Sequence, residues 1–540
     1  MTRACRSHVG RPHGHGPLPG EYIGFRVIVL LYELECLVRR HRLIVPSTAA
    51  AAFLLLAVPA SAADATPGAP GAGDSYYPED GNGGYDVSHY DLRLKYQPKT
   101  DRLEGTATLL ATPTQALSRF NLDFTLDVSE VLVGGRKAAF KHSGAHELEV
   151  TPAGPLEQGK PVSVVVRYSG TPSTVKIDGF TAWKRTPDGA VVAQEPQSAA
   201  WWFPSNDHPT DKATYDVSVS VPDDVQAISN GVLASQSSKL GWTRYNWRST
   251  KPQASYLTTL AVGKFDITTG TTESGLPVVN AYSKDLGENL PSAKASIERT
   301  AEITDWASTV FGPYPFNAVG GYVPNVKSSY ALETQTRPFY SPASFTSGGN
   351  QQIVVHELAH QWFGDSVSVK DWRDIWVNEG FATYAQWLWS EKEGEGTAQE
   401  LAEYVYNSVP ADNDFWKVKP GDPGANRQFD RAVYNRGAVA LQALRNTVGD
   451  KTFFAILKQW TTENRYGNAS VQDFVKFAEK ASGKKLAPLF DTWLFQPSKP
   501  STLPAPAGTA PAKAAKSLKA GVTAPKSWKK IQDAERAHRH

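Results

Sequence analysis

Two histidines four residues apart, His356 and His360, enclose a glutamate in Val355-His356-Glu357-Leu358-Ala359-His360. On a helix this spacing puts both imidazoles on one face, where they can reach one metal ion. It also leaves Glu357 beside them as a base for an attacking water. Ile353, Val354 and Val355 ahead of the motif and Gly364 behind it predict a helix that stops near the glycine. The plain alternative is a buried helix carrying two hydrogen-bonded histidines. The next segment weighs against that alternative. Glu379, in Trp376-Val377-Asn378-Glu379-Gly380-Phe381, follows His360 after eighteen residues. That is room for a turn and a second helix that lays a carboxylate against the first. Two histidines and a carboxylate form a zinc site with an open fourth position, the catalytic arrangement. A third histidine ligand is excluded, because Phe363 and Ser366 stand where its glycine and histidine would be. One zinc ion per chain is the expected cofactor.

The amino-terminal part needs separating from the fold. Arg39, Arg40 and Arg42 precede an apolar run from Leu43 to Val58, and Ala60-Ser61-Ala62 follows as a small-residue cleavage signal. Residues 1–62 therefore read as a signal peptide with an over-extended start, and the protein as secreted. The apolar run contains Pro46 and is short for a membrane span, so no stable membrane insertion is expected. Both cysteines, Cys5 and Cys36, precede the cleavage signal, so export needs no disulfide and the metal site cannot use thiolates. A formal net charge of +2 gives no reason to expect nucleic acid as a partner. The oligomeric state stays open, with a monomer favoured.

Residues 63–84, rich in Ala, Gly, Pro and Asp, read as a flexible linker. From Tyr85 the pattern alternates every two residues. Tyr90–Tyr96, Val162–Tyr168, Tyr215–Val221 and Tyr256–Val262 read as half-buried strands, separated by turn signals such as Gly134-Gly135 and Asn230-Gly231. Residues 85–270 are expected to form an antiparallel β-domain. Helical spacing begins near Leu286 and dominates thereafter, including a helix from Tyr434 to about Val448, so 271–500 reads as a mainly helical catalytic domain. Residues 501–540 carry a net charge of +6 among Ala, Pro and Gly, and read as a disordered basic tail.

Several motifs in order carry a resemblance. They are Glu195-Pro196-Gln197, the run Phe203-Pro204-Ser205-Asn206-Asp207-His208-Pro209, Phe311-Gly312-Pro313-Tyr314-Pro315-Phe316, Ala331-Leu332-Glu333-Thr334, the two metal segments and Tyr434-Asn435-Arg436-Gly437. Across about residues 85–500 the chain resembles the aminopeptidase N and leukotriene hydrolase family of zinc gluzincins. The resemblance implies an N-terminal β-saddle or sandwich followed by a thermolysin-like catalytic domain, without the complete helical cap of the larger members. The active site is accordingly expected to be more open. It also implies roles. His356, His360 and Glu379 would bind zinc, Glu357 would be the general base, and Tyr434 would hydrogen-bond the oxyanion. Glu195 and Glu333 would face the free α-amine of a peptide, with Ala331 and Leu332 lining the substrate. Two departures stand out. Tyr330 replaces a glycine next to the substrate, and Gln386 lies where relatives often carry a carboxylate behind a zinc ligand.

The reading is a secreted zinc aminopeptidase acting on peptides with a free N-terminus. A zinc endopeptidase or an epoxide hydrolase on the same scaffold, and a catalytically silent binding module, are the alternatives.

Overall fold

A computed structural model describes residues 64–506 and 523–536. The expected signal peptide lies outside the described residues.

The alternating segments fold as strands because each places its apolar residues on one face. Tyr85–Gln97 buries Tyr85, Val87, Tyr90, Leu92, Leu94 and Tyr96. At about 25 cal/mol per Å² of apolar surface, each such side chain contributes roughly 1.5–3 kcal/mol. This strand sits inside an eight-stranded sheet ordered Val232–Lys239, Trp242–Ala254, Lys212–Pro222, Tyr85–Gln97, Arg102–Pro113, Val162–Gly170, Asp127–Val133, Arg136–Lys137. The domain is not purely antiparallel, since Lys212–Pro222 runs parallel to Tyr85–Gln97 with Tyr215 opposite Tyr90. More than one hundred residues separate those two strands in sequence. Two smaller four-stranded sheets share its hydrophobic core. The stretch expected as a strand at Tyr256–Val262 is split. Ser255–Leu257 is a single 3-10 turn, and only Leu260–Gly263 pairs as a strand.

The last strand of the expected β-domain pairs outside its large sheet. Phe265–Thr271 leaves it and pairs with Pro277–Ser283, which pairs in turn with Val319–Val323 in a sheet of the catalytic unit. Helices follow. Leu290–Ile297 and Thr300–Phe311 lead to the ligand helix, Gln351–His360. Next come the carboxylate helix, Trp376–Glu393, and the tyrosine helix, Arg431–Val448. Those last two are buried along most of their length, and ten tryptophans across the molecule are fully buried.

Two segments expected to be flexible are built into the molecule. Residues 64–84 are no linker. Thr66–Pro67 pairs with Leu117–Asp123, and the Asp74 carboxylate accepts hydrogen bonds from the backbone of Tyr76, Tyr77 and Trp372. The Tyr76 hydroxyl donates to Asp422 at 2.7 Å and that of Tyr77 to Gln428 at 2.9 Å. Composition hid this because the contacts come from isolated aromatic and acidic residues, not from a periodic pattern.

The basic tail contains a helix, Trp528–Arg536, that buries Trp528, Ile531 and Ala534. Its Lys530 carbonyl accepts from Asn350 Nδ2 at 2.9 Å, next to the N-terminus of the ligand helix. Lysines at 526, 529 and 530 mask a one-sided apolar stripe in the average composition.

Candidate metal and catalytic site

The ligand helix starts at Asn350, whose side chain accepts from Gln352 N, and it ends at His360. Gly364 follows with φ +133°. A Cβ there would meet His360 Nδ1 and Asn378 Nδ2 at 3.3 Å, so glycine lets the turn pass close behind the second histidine. The chain then re-enters a helix at Trp376, which sets Glu379 in its first turn, against the ligand helix.

His356 Nε2 lies 3.1 Å and His360 Nε2 3.5 Å from Glu379 Oε2. Two ligand atoms about 2.0–2.1 Å from one zinc ion at a tetrahedral angle lie roughly 3.4 Å apart. The three donors therefore have the spacing of a shared metal, and their direct contacts occupy the place a cation would take. All three residues are buried.

The histidines are also aimed. His360 Nδ1 donates to the Phe363 carbonyl at 3.0 Å. His356 Nδ1 donates to Gln386 Oε1 at 3.3 Å, while Gln386 Nε2 donates to the Gln352 carbonyl at 3.0 Å. These bonds leave both Nε2 atoms facing the centre of the triad. Gln386 thus fills the expected supporting position as a neutral amide, which polarises its imidazole less than a carboxylate would.

Burial alone would lower the His360 pKa, but the carboxylates of Glu379 and Glu333 outweigh it and raise the pKa to about 9. Burial drives the Glu357 carboxyl well above the usual range, with Glu333 and Glu379 adding to the effect. A divalent cation at the triad would offset this concentration of negative charge.

The structure brings the remaining sequence candidates to the same place. Tyr434, on the first turn of the tyrosine helix, stacks over His356 with ring centroids 6.0 Å apart. Glu195 and Glu333 are each 2% exposed. Burial raises the carboxyl pKa of Glu195 well above normal, followed by the charges of Glu333, Glu379 and Glu357, so these four carboxylates share one neighbourhood. Glu195 Oε1 and Glu333 Oε1 have no hydrogen-bond donor within the protein. Ala331 and Leu332 are buried in the same segment, where Leu332 and Phe339 exchange backbone hydrogen bonds at 2.8 and 2.9 Å. The expected openness does not reach these side chains, since the triad, Glu357 and Tyr434 are each no more than 4% exposed.

Several positioning contacts escaped the sequence reading. Gln361 Nε2 donates to the Glu333 carbonyl at 2.9 Å, and its Oε1 accepts from Thr336 N at 2.7 Å. The fully buried Arg337 anchors the following turn on the carbonyls of Val279, Val319 and Gly231. Asp207 accepts from Ser198 N and Ala199 N at 3.2 and 3.0 Å, which fixes the segment after Glu195. Tyr330, the residue in place of glycine, turns away to hydrogen-bond the Ala193 carbonyl at 2.7 Å and receives Lys184 Nζ at 2.6 Å. Only the Asp207 run carried a motif. The others are single polar residues whose partners are distant in sequence.

Known proteins share both domains of this chain. The model of the peptidase M1 N-terminal domain matches residues 87–257, and that of the peptidase family M1 domain matches residues 340–493. Among solved structures, the M1 zinc metallopeptidase from Deinococcus radiodurans has a TM-score of 0.73 at 30% identity, covering 82% of this chain and 100% of that one. A variant of that enzyme bound to a Tyr-Ser-Ala substrate gives 0.72 at 30% identity, over 81% and 100%. Glutamyl aminopeptidase of Sus scrofa is 30% identical over 57% of this chain and 34% of its own length. The Homo sapiens enzyme is 26% identical over 76% and 46%. The chain thus spans between a third and a half of the length of these curated relatives. With both domains matched and a solved structure covered end to end, the chain belongs to the M1 family of zinc metallopeptidases.

Proposed function

We propose that this protein is a zinc aminopeptidase that removes residues one at a time from the free N-terminus of peptides. The observation that carries the reading is the pair Glu195 and Glu333. Both are buried beside the metal triad, and each has a carboxylate oxygen without a donor in the protein. A peptide α-amine is largely cationic near neutral pH and would satisfy both. An endopeptidase has no use for such a pair, because its substrates extend past this position as neutral amides.

His356, His360 and Glu379 would hold the zinc ion, which when bound supplies a Lewis acid for the scissile carbonyl and acidifies water. Glu357 is the group placed to take a proton from the attacking water and return it to the leaving amine. The Tyr434 hydroxyl donates to the oxygen on which negative charge develops. Gln361 and Asp207 keep the Glu333 and Glu195 segments in register with the triad.

The test is hydrolysis of an aminoacyl amide by the purified chain. Activity that a chelator abolishes and zinc restores supports the proposal. Equal rates on free and N-acetylated peptides would leave a zinc endopeptidase instead.

Export is a further part of the proposal, supported by the basic, apolar and small-residue order of residues 39–62. N-terminal sequencing of protein from the culture medium should begin at Ala63. A chain that keeps residues 39–62 in the membrane fraction would refute it. Among the described residues no helix is long and apolar enough to cross a membrane.

A further inference from the structure

A second group of metal-ligating side chains lies in the β-domain. Asp123 ends the strand Leu117–Asp123, and Glu147 opens the strand Glu147–Thr151, directly opposite it in the ladder. His146 closes the hairpin turn just before Glu147. Asp80 comes from the segment 64–84, with its Oδ1 3.5 Å from His146 Nε2. Like charges directly across a ladder are destabilising, and here they are also buried. Asp123 is 1% exposed and Glu147 8%.

Acidic residues alone would not make a site. Here, however, Asp123 Oδ1, Asp80 Oδ2 and His146 Nδ1 are buried without a hydrogen-bond partner, and among the described residues the only side chain that lends Glu147 a hydrogen bond is the neutral amide of Asn121. Among the described residues, none of the three carboxylates forms an ion pair with lysine or arginine. The nearby Arg119 and Lys141 are engaged by Glu149. Burial pushes the carboxyls of Asp80 and Glu147 up to about 8, and their acidic neighbours add to the rise. Ionised without a counter-charge, such carboxyls would be among the costliest groups a core can hold, and burial keeps them protonated near neutral pH unless a cation binds.

We propose that Asp123, His146 and Glu147, with Asp80 behind them, bind a second divalent cation, zinc or manganese, separate from the catalytic site. One ligand atom from each of the three lies within 4.8 Å of the others. Three atoms sharing one ion at about 2.0–2.2 Å lie roughly 3.4–3.8 Å apart, so side-chain movements of up to about 1 Å close the site. Two or three carboxylate oxygens with one imidazole suit a first-row ion better than calcium, which takes oxygen ligands almost exclusively. Asn82 and the backbone N–H of Asp207 hold the other Asp123 oxygen, Oδ2, at 3.0 and 2.8 Å, so Oδ1 is the one left for the ion. The ion would fasten the segment 64–84 to the β-domain. That segment continues to the catalytic unit through Asp74, Tyr76 and Tyr77. The site is therefore structural, with no role in turnover.

The test uses the full chain carrying His360→Ala, which removes a catalytic ligand, dialysed against Zn2+ or Mn2+ and desalted. Plasma mass spectrometry should find about one ion per chain, and adding Glu147→Gln should remove it. The thermal midpoint of His360→Ala should rise with metal, and that of the double variant should not. If His360→Ala does not fold, the wild type should hold about two ions and Glu147→Gln about one, with peptidase turnover retained. A folded His360→Ala chain without metal, or a wild type with a single ion, overturns the proposal and leaves the carboxyls sharing protons. An ion that survives both Glu147→Gln and Asp123→Asn overturns it as surface binding.

Discussion

Replacing Glu333 by glutamine removes one negative charge and almost no volume. The carboxylate is 2% exposed, its Oε1 has no donor, and its backbone carbonyl is held by Gln361 at 2.9 Å. The loop should therefore stay in place, and the loss should be chiefly the amine contact, since glutamine keeps an acceptor for the Tyr256 hydroxyl. Burial and neighbouring charge already raise the Glu333 carboxyl, so an incoming ammonium offsets an existing cost. A charge-assisted hydrogen bond in such a place contributes about 1.5–3 kcal/mol. At 1.36 kcal/mol per factor of ten, kcat/KM for a free-amine peptide should fall roughly 10- to 150-fold. The bond exists in ground and transition states alike, so most of the loss should appear in KM. The assay is kcat/KM for a matched free and N-acetylated peptide, on wild type and on Glu333→Gln. The acetylated peptide should be a poor substrate for both, and nearly insensitive to the substitution. A Glu333→Gln enzyme with wild-type KM for the free peptide would refute the reasoning, because the charge would then be doing nothing for the amine.

Three other outcomes follow from the same geometry. Glu357→Gln should keep zinc and lose turnover, while His360→Ala should lose the catalytic zinc and turnover together, as read by metal analysis beside kcat; full zinc binding at the triad in His360→Ala would remove it as a ligand. Tyr434→Phe should lower kcat and kcat/KM by similar factors, about 10²- to 10³-fold, and a wild-type kcat would make the hydroxyl structural. Trp528, packed edge-on to Tyr404 with centroids 5.1 Å apart and 4% exposed, anchors the tail helix. Trp528→Ala should cost about 3–5 kcal/mol in urea unfolding with kcat little changed below the transition, and an unchanged midpoint would mean that the helix is not docked.

The candidate metal ligands were legible because local geometry ties them to sequence spacing. A separation of four residues on a helix is a distance, so His356 and His360 declared a shared ligand face before any fold was known. Period-two alternation likewise announced the strands at Tyr85–Gln97 and Val162–Gly170, since one face of each had to be buried. The roles proposed for Glu195, Glu333 and Tyr434 were suggested only by resemblance, because nothing local distinguishes a site glutamate from a solvated one.

What tertiary structure decided is the set of contacts between residues far apart in sequence. Asp74 meets Trp372, and Asn350 meets Lys530, pairs separated by 298 and 180 residues. Segments judged flexible by composition are held by those contacts. Composition measures average solvation, while a docked segment needs only two or three buried side chains on one face. The second acidic cluster was equally invisible, for Asp80, Asp123 and Glu147 are ordinary surface residues until a ladder and a returning segment bury them together. Sequence alone therefore determined the catalytic ligands and the strand faces, which periodicity encodes. The burial of charge at long range was decided by packing, because a carboxylate's energy depends on what surrounds it in space.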